Sequence, residues 1–329
     1  MFVGCHCIWE EKGVNYRALE SPRDTARTAP PEILMFKHRR CSESWLAVIA
    51  LMLLGTACKE ETVGKSQSKP LKAAAVADSI AFPSGPEGAA ARRGFAILAA
   101  TRDSMPGYVG ANLRCFSCHL DNGRRPNSVP LKGAYGHYPN YNGRSGSIIS
   151  IQDRVNNCVR RSLAGREIPI DGEQMNAIVM YLAFVARGVP VGGHIPGEGM
   201  PTLPDLSGDT PRGAIVYAAS CARCHGDDGH GIPPATALWG QHSYAVGASV
   251  ARLSRAATFI RHNMPFDSAG VLTDQQAFDV AAYILSHPRP DTPGKDLDWA
   301  AGDAPRDVPY NTHGHLAFNP APLLLSAFR

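Results

Sequence analysis

Two short motifs constrain this chain more than anything else in it. Cys115-Phe116-Ser117-Cys118-His119 and Cys221-Ala222-Arg223-Cys224-His225 both read C-x-x-C-H. That spacing is the attachment signature of c-type haem. The two thiols add across the haem vinyl groups, and the pinned ring brings the next residue's imidazole within reach of the iron. A zinc knuckle or a disulfide pair is the competing reading. It does not explain why both copies carry His directly after the second Cys. Two such sites ask for two domains, each built around a cofactor that replaces much of the core. The 32 Gly and 26 Pro suit that design.

The 329 residues are enough for about two domains. A net charge of +4 is too small to argue for a nucleic-acid partner. Residues 1–34 show no sustained periodicity, and Met35 reads as the true start, with an upstream misassigned codon before it. Residues 35–58 read as an export signal: Lys37, His38, Arg39 and Arg40, then an apolar run from Trp45 to Leu54, then Gly55-Thr56-Ala57-Cys58. The run is too short to stay in a bilayer as a spanning helix. Cys58 fits a bacterial lipobox, which would make it a lipid anchor. Gly55-Thr56-Ala57 also fits ordinary cleavage. Either way the product is exported to the periplasm, where c-type haem is attached. Residues 59–86 read as a polar linker.

Cysteine counting then isolates one residue. Cys5 and Cys7 precede the start, Cys41 leaves with the signal, and Cys58 is the processing site. Four of the remaining five are used by haem. Cys158 is left over in an oxidising compartment and needs an explanation.

Periodicity and caps predict helices over Glu87–Asp103, Ser147–Ser162, Thr273–Ser286 and Val250–His262. A further helix is expected behind Asp171, with Gln174 completing a capping box, ending at Gly188 and Pro190. Another is expected behind Thr210 as N-cap with Pro211 at the first position. Asp121–Gly146 reads as a loop wrapping a haem, and Val191–Leu206 as an inter-domain linker. No strands of note are predicted. The expected fold is all-α: two class I cytochrome c-type haem domains in tandem, at 87–200 and 201–290. A Pro-rich tail, 291–329, should lie as an extended strap over the surface.

Each iron needs a second ligand. In the second domain Met264-Pro265 stands where class I domains place it, opposite His225; Met/His ligation raises the potential. Met264 as a core filler is the bland alternative, and His262, His242 and Met200 are weaker rivals. The first domain has no Met-Pro at the matching place. Met175 and Met180 lie on its closing helix. Cys158 stands at the equivalent position, opposite His119, and a thiolate there would lower the potential of that haem. The competing reading is an inert, buried cysteine. Arg154, Cys158 and Ser162 recur every four residues on one helix face, with Arg144 in the loop before. Arg, thiolate and hydroxyl on one stripe suit an anion site built for sulfur chemistry. Solvated surface or haem-propionate pairing is the alternative for the arginines, and is the role expected of Arg160 and Arg161.

From Gly94 to Pro290 the chain resembles the dihaem, tetrathionate-forming thiosulfate dehydrogenases. The residues that carry the likeness are Cys115 to Leu120, Arg154 to Leu163, Asn263-Met264-Pro265 and Leu272 to Gln276. The resemblance implies a His119/Cys158 haem as active site, with Arg144, Arg154 and Ser162 around the substrate. It implies His225 and Met264 on a relay haem that passes electrons to a cytochrome c-type acceptor. Two thiosulfates would join as tetrathionate, with Cys158 leaving the iron to carry one of them; the reverse reaction would use the same site. Some relatives carry Lys before the Met as an alternative ligand; here that residue is Asn263. Two other readings stand beside this one. One is a plain dihaem electron carrier. The other is a thiolate-haem enzyme of another sulfur pathway that needs a partner subunit.

Overall fold

The computed structural model describes residues 80–317. The start, the export signal, most of the linker and the end of the tail lie outside those residues. Six longer helices carry the described fold: α1 (Pro86–Ala99), α2 (Ile151–Arg161), α3 (Glu173–Val185), α4 (Thr210–Ser220), α5 (Leu253–Asn263) and α6 (Asp274–Leu285). A two-stranded antiparallel hairpin, β1 (Asn140–Asn142) with β2 (Ser147–Ile149), is the sheet among the described residues.

The two halves repeat one packing device. α1 crosses α3 at Gly94, where a Cβ would sit 2.0 Å from the Ala177 carbonyl oxygen and 2.8 Å from Tyr181 Cβ. α4 crosses α6 at Gly213, where a Cβ would sit 2.0 Å from the Asp279 carbonyl oxygen. Only a residue without a side chain lets the backbones approach so closely. In both halves the preceding Arg pairs with an acid on the partner helix: Arg93 with Glu173, and Arg212 with Asp279. The duplication is therefore visible in how the helices cross, although the two halves share little sequence.

The cores merge. Phe95, Leu98, Phe116, Met175 and Tyr181 form the first-domain core, and Tyr244, Ala248 and Ala251 from the second half pack into the same cluster. Main-chain bonds stitch that segment down: Asn112 N–H donates to His242 O (2.7 Å) and Ala245 N–H to Arg161 O (3.0 Å). Asn263, fully buried, donates to Asn127 O across the same boundary.

Several local expectations need correction. Ser147–Ile149 is a strand, and α2 starts only at Ile151, because Ser150 and Asp153 close a reciprocal capping box. α1 ends at Ala99, and a separate turn covers Thr101–Ser104. Gly172, not Asp171, stands at the start of α3, with no side-chain cap. Asp209 caps α4 by accepting from Arg212 N–H, displacing Thr210 into the helix. α5 starts at Leu253, after a 3-10 turn at Ser249–Ala251. The Thr273/Gln276 capping box of α6 forms as expected. The tail is more than an extended strap. It turns at Lys295–Leu297 and buries Trp299, Val308 and Tyr310 in a cluster of their own.

Candidate active site

Two cavities open at the two motifs. The first, ≈ 320 Å³, is lined by Cys115 and His119, by Arg154 and Cys158 from α2, and by Leu98, Ile178 and Leu182. The second, ≈ 490 Å³, is lined by Cys221, Cys224, His225 and Met264, with Phe259 and Ile260. Of the four ligand candidates for the second haem, Met264 lines this cavity; His262, His242 and Met200 do not. In the first domain Met175 is buried in the core instead. Cys118, from the first motif, lines the second cavity, while its motif neighbours Cys115 and His119 line the first.

Both donor sets fit haem c. His119 Nδ1 lies 2.6 Å from Val129 O, and His225 Nδ1 lies 2.8 Å from Thr236 O. A carbonyl that accepts a hydrogen bond from Nδ1–H fixes the tautomer and leaves Nε2 unprotonated for a metal. The largely apolar walls suit a porphyrin face. His119 and Cys158 face one cavity, and His225 and Met264 the other.

Cys158 differs from the motif cysteines. Burial pushes its thiol up, but the charge of Arg154 leads the effects that outweigh it and bring it down to about 6. Burial alone dominates at Cys115 and Cys221, which are pushed up to about 11. Arg154 Nη1 sits 2.8 Å from Cys158 Sγ. The four-residue spacing on α2 puts guanidinium and sulfur on one face, which makes this contact geometrically ready.

Arg144 comes from the β1–β2 hairpin and stands behind the cavity. Its Nη1 donates to Gly247 O at 2.6 Å, and its guanidinium lies 4.5 Å over the Trp299 ring. Burial lowers its pKa, and it feels the charges of Arg154 and Arg161. It does not line the cavity, and neither does Ser162, whose N–H closes the end of α2 on Cys158 O at 2.8 Å. Sequence reasoning missed Tyr138, which lines the cavity and feels the charge of Arg154. The Tyr-rich loop around it was the available signal.

The tail holds this region together. Arg161, expected at the surface or on a propionate, is buried and makes a two-pronged pair with Asp298 at 2.8 and 2.7 Å. Tyr310 O–H donates to the same carboxylate, and Trp299 N–H donates to Arg144 O at 2.8 Å. Trp299 holds φ at 54°, a strained value for a bulky residue that persists only where the surroundings fix it. Arg160 behaves as expected, on the surface with Glu167.

Comparison with known proteins identifies the family. Residues 109–191 match the family described as "SoxA/TsdA, cytochrome c domain", and residues 208–284 match "Cytochrome C oxidase, cbb3-type, subunit III". The thiosulfate dehydrogenase of Psychrobacter arcticus is 40% identical over 240 residues, 70% of this chain and 73% of that protein. The thiosulfate dehydrogenase of Allochromatium vinosum is 35% identical over 242 residues, 69% of this chain and 88% of that protein. A solved thiosulfate dehydrogenase (TsdBA) of Marichromatium purpuratum superposes with a TM-score of 0.62 at 34% identity, over 70% of this chain and about half (51%) of that one. The two tandem cytochrome c domains carry covalently bound haem c. This chain belongs to the thiosulfate dehydrogenase family, as a haem-dependent oxidoreductase acting on thiosulfate.

Proposed function

We propose that this protein couples two thiosulfate ions into one tetrathionate, and that the two electrons leave through the second domain to an external cytochrome c-type acceptor. The observation that carries this reading is the Arg154–Cys158 contact in the cavity shared with His119. Bound haem c supplies one-electron acceptance at each iron, with His119 and Cys158 as ligands in the first domain and His225 and Met264 in the second.

The chain's own residues account for the sulfur chemistry. Thiosulfate is a dianion, and Arg154, with Arg144 behind it, offsets the repulsion between two such ions. The Cys158 thiolate joins the outer sulfur of one thiosulfate, releasing two electrons and forming an S–S bond to the protein. A second thiosulfate attacks that outer sulfur. Tetrathionate departs and the Cys158 thiolate is regenerated, so sulfur and charge balance over the cycle. A thiol whose charged form Arg154 favours is a good leaving group in the second step, and Arg154 holds the charge that returns to it. Tyr138 steadies Arg154 from the loop side. Ser162 follows a turn beyond Cys158 on the same helix face. Cys118 on the second cavity, next in sequence to His119 on the first, supports a short path from the first site to the second.

Residues 35–58 support export to the periplasm, with Cys58 as a lipid anchor. Mass analysis of the mature amino terminus tests that part. Purified protein given thiosulfate and ferricyanide tests the reaction: one tetrathionate should appear for two thiosulfates consumed and two ferricyanides reduced. A plain dihaem carrier would reduce no ferricyanide at thiosulfate's expense.

A further inference from the structure

We propose that His137, His194 and Glu198 form a binding site for a divalent transition metal of the zinc class. The ion would fasten the inter-domain segment to the loop over the first cavity. His137 Nε2 lies 2.8 Å from Glu198 Oε1, and His194 Nδ1 lies 2.7 Å from Glu198 Oε2. All three donor atoms fall within 4.8 Å of one another. Zinc bound at about 2.0–2.2 Å in a tetrahedron keeps its ligand atoms roughly 3.4 Å apart, so the cluster needs only a small adjustment to close on an ion. Two imidazoles and one carboxylate leave a fourth position for water. Two nitrogens with one oxygen favour zinc, nickel or copper over magnesium or calcium.

The donors are held in place before any ion arrives. Glu198 and His194 sit on a segment tied to the first domain by Gly192 N–H to Gly136 O (3.0 Å), Asn127 N–H to Gly197 O (2.8 Å) and Val129 N–H to Gly199 O (3.0 Å). Gly133 keeps the approach clear: a Cβ there would lie 3.2 Å from Glu198 Oε1 and 3.5 Å from His137 Nε2. A hydrogen-bonded cluster of the same residues is a weak account of His194. Its side chain is 82% exposed, and a bond from so exposed a group adds little stability. His137 and Glu198 line the first cavity and His194 does not, so the site lies at the cavity rim and one of its members can be changed without touching the cavity wall.

The test uses the full dihaem protein, stripped with a chelator and titrated with Zn²⁺ by calorimetry. Bound zinc is counted by elemental mass spectrometry beside haem iron. Wild type should take up one zinc per chain, and its thermal midpoint should rise with added zinc. His194→Ala and Glu198→Gln should each weaken that uptake about tenfold or more and lose the thermal response, with both haems retained. His194→Ala should also keep wild-type activity in the absence of zinc. Wild type binding no zinc at sub-millimolar concentration would overturn the proposal. So would a His194→Ala variant that binds zinc as tightly as wild type. In either case the three residues are a hydrogen-bonded cluster only.

Discussion

At the scale of single residues, the proposed chemistry rests on two side chains of α2. Cys158→Ala should lower thiosulfate oxidation by roughly 10³-fold or more, because the proposed reaction asks one sulfur to serve as iron ligand and covalent acceptor. Both haems should stay attached, since the change removes one small group from a helix and Ala is a strong helix former. Ferricyanide reduction by thiosulfate, with a count of haem per chain, checks both halves of that statement. Arg154→Ala should act on the substrate side. It removes a charged hydrogen-bond donor, so kcat/KM for thiosulfate should fall about 10- to 100-fold while haem stoichiometry holds. Equal turnover in wild type and the Cys158 variant would leave that cysteine a packing residue. Cys158 was legible from cysteine counting, and Arg154 from its place four residues earlier on the same helix face. Tyr138 was not, because its contact with Arg154 comes from a loop with no periodicity.

At the scale of elements, the fold rests on two helix crossings and the caps that start the helices. Gly213→Ala should destabilise the second domain by at least about 1–3 kcal/mol, because the new Cβ meets fixed backbone rather than a flexible side chain. Gly94→Ala should do the same in the first. Thr273→Ala, which removes one half of a capping box, should cost only about 1 kcal/mol. Chemical denaturation followed by helix signal should place the glycine variants well below the cap variant. Helix positions were largely readable, since Ile178, Leu182, Phe278 and Ala281 fall on buried faces with the expected spacing. Helix starts were less so. Ser147–Ile149 continues the apolar spacing of α2, but it pairs with Asn140–Asn142, a partner that periodicity does not reveal. Gly94 and Gly213 read as ordinary helix residues until the helix that crosses them is known.

At the scale of the whole molecule, the tail ties the two domains together at places far apart in the chain. Asp298→Ala would leave Arg161 buried and unpaired, at a cost of about 3–5 kcal/mol, read as a lowered denaturation midpoint. Acid should act at the other anchor. Burial pushes the Asp307 carboxyl up, but bonds from Ser254 and the charge of Arg252 outweigh it and hold it below 3.8. Its contribution is present above that value and is lost as pH falls through the lower folded value. Asp307→Asn should therefore flatten the stability profile below about pH 4. None of this was legible beforehand. Arg161 and Asp298 are 137 positions apart, and a long-range ion pair leaves no local pattern. The placement of Trp299 and Asp298 also bears on synthesis. A ribosome finishes both haem motifs and all six long helices before it reaches these residues. A chain cut short after Ser286 would still take up two haems and look red. It would lack the indole beneath Arg144 and the carboxylate opposite Arg161, so colour alone would be a poor gauge of a finished enzyme.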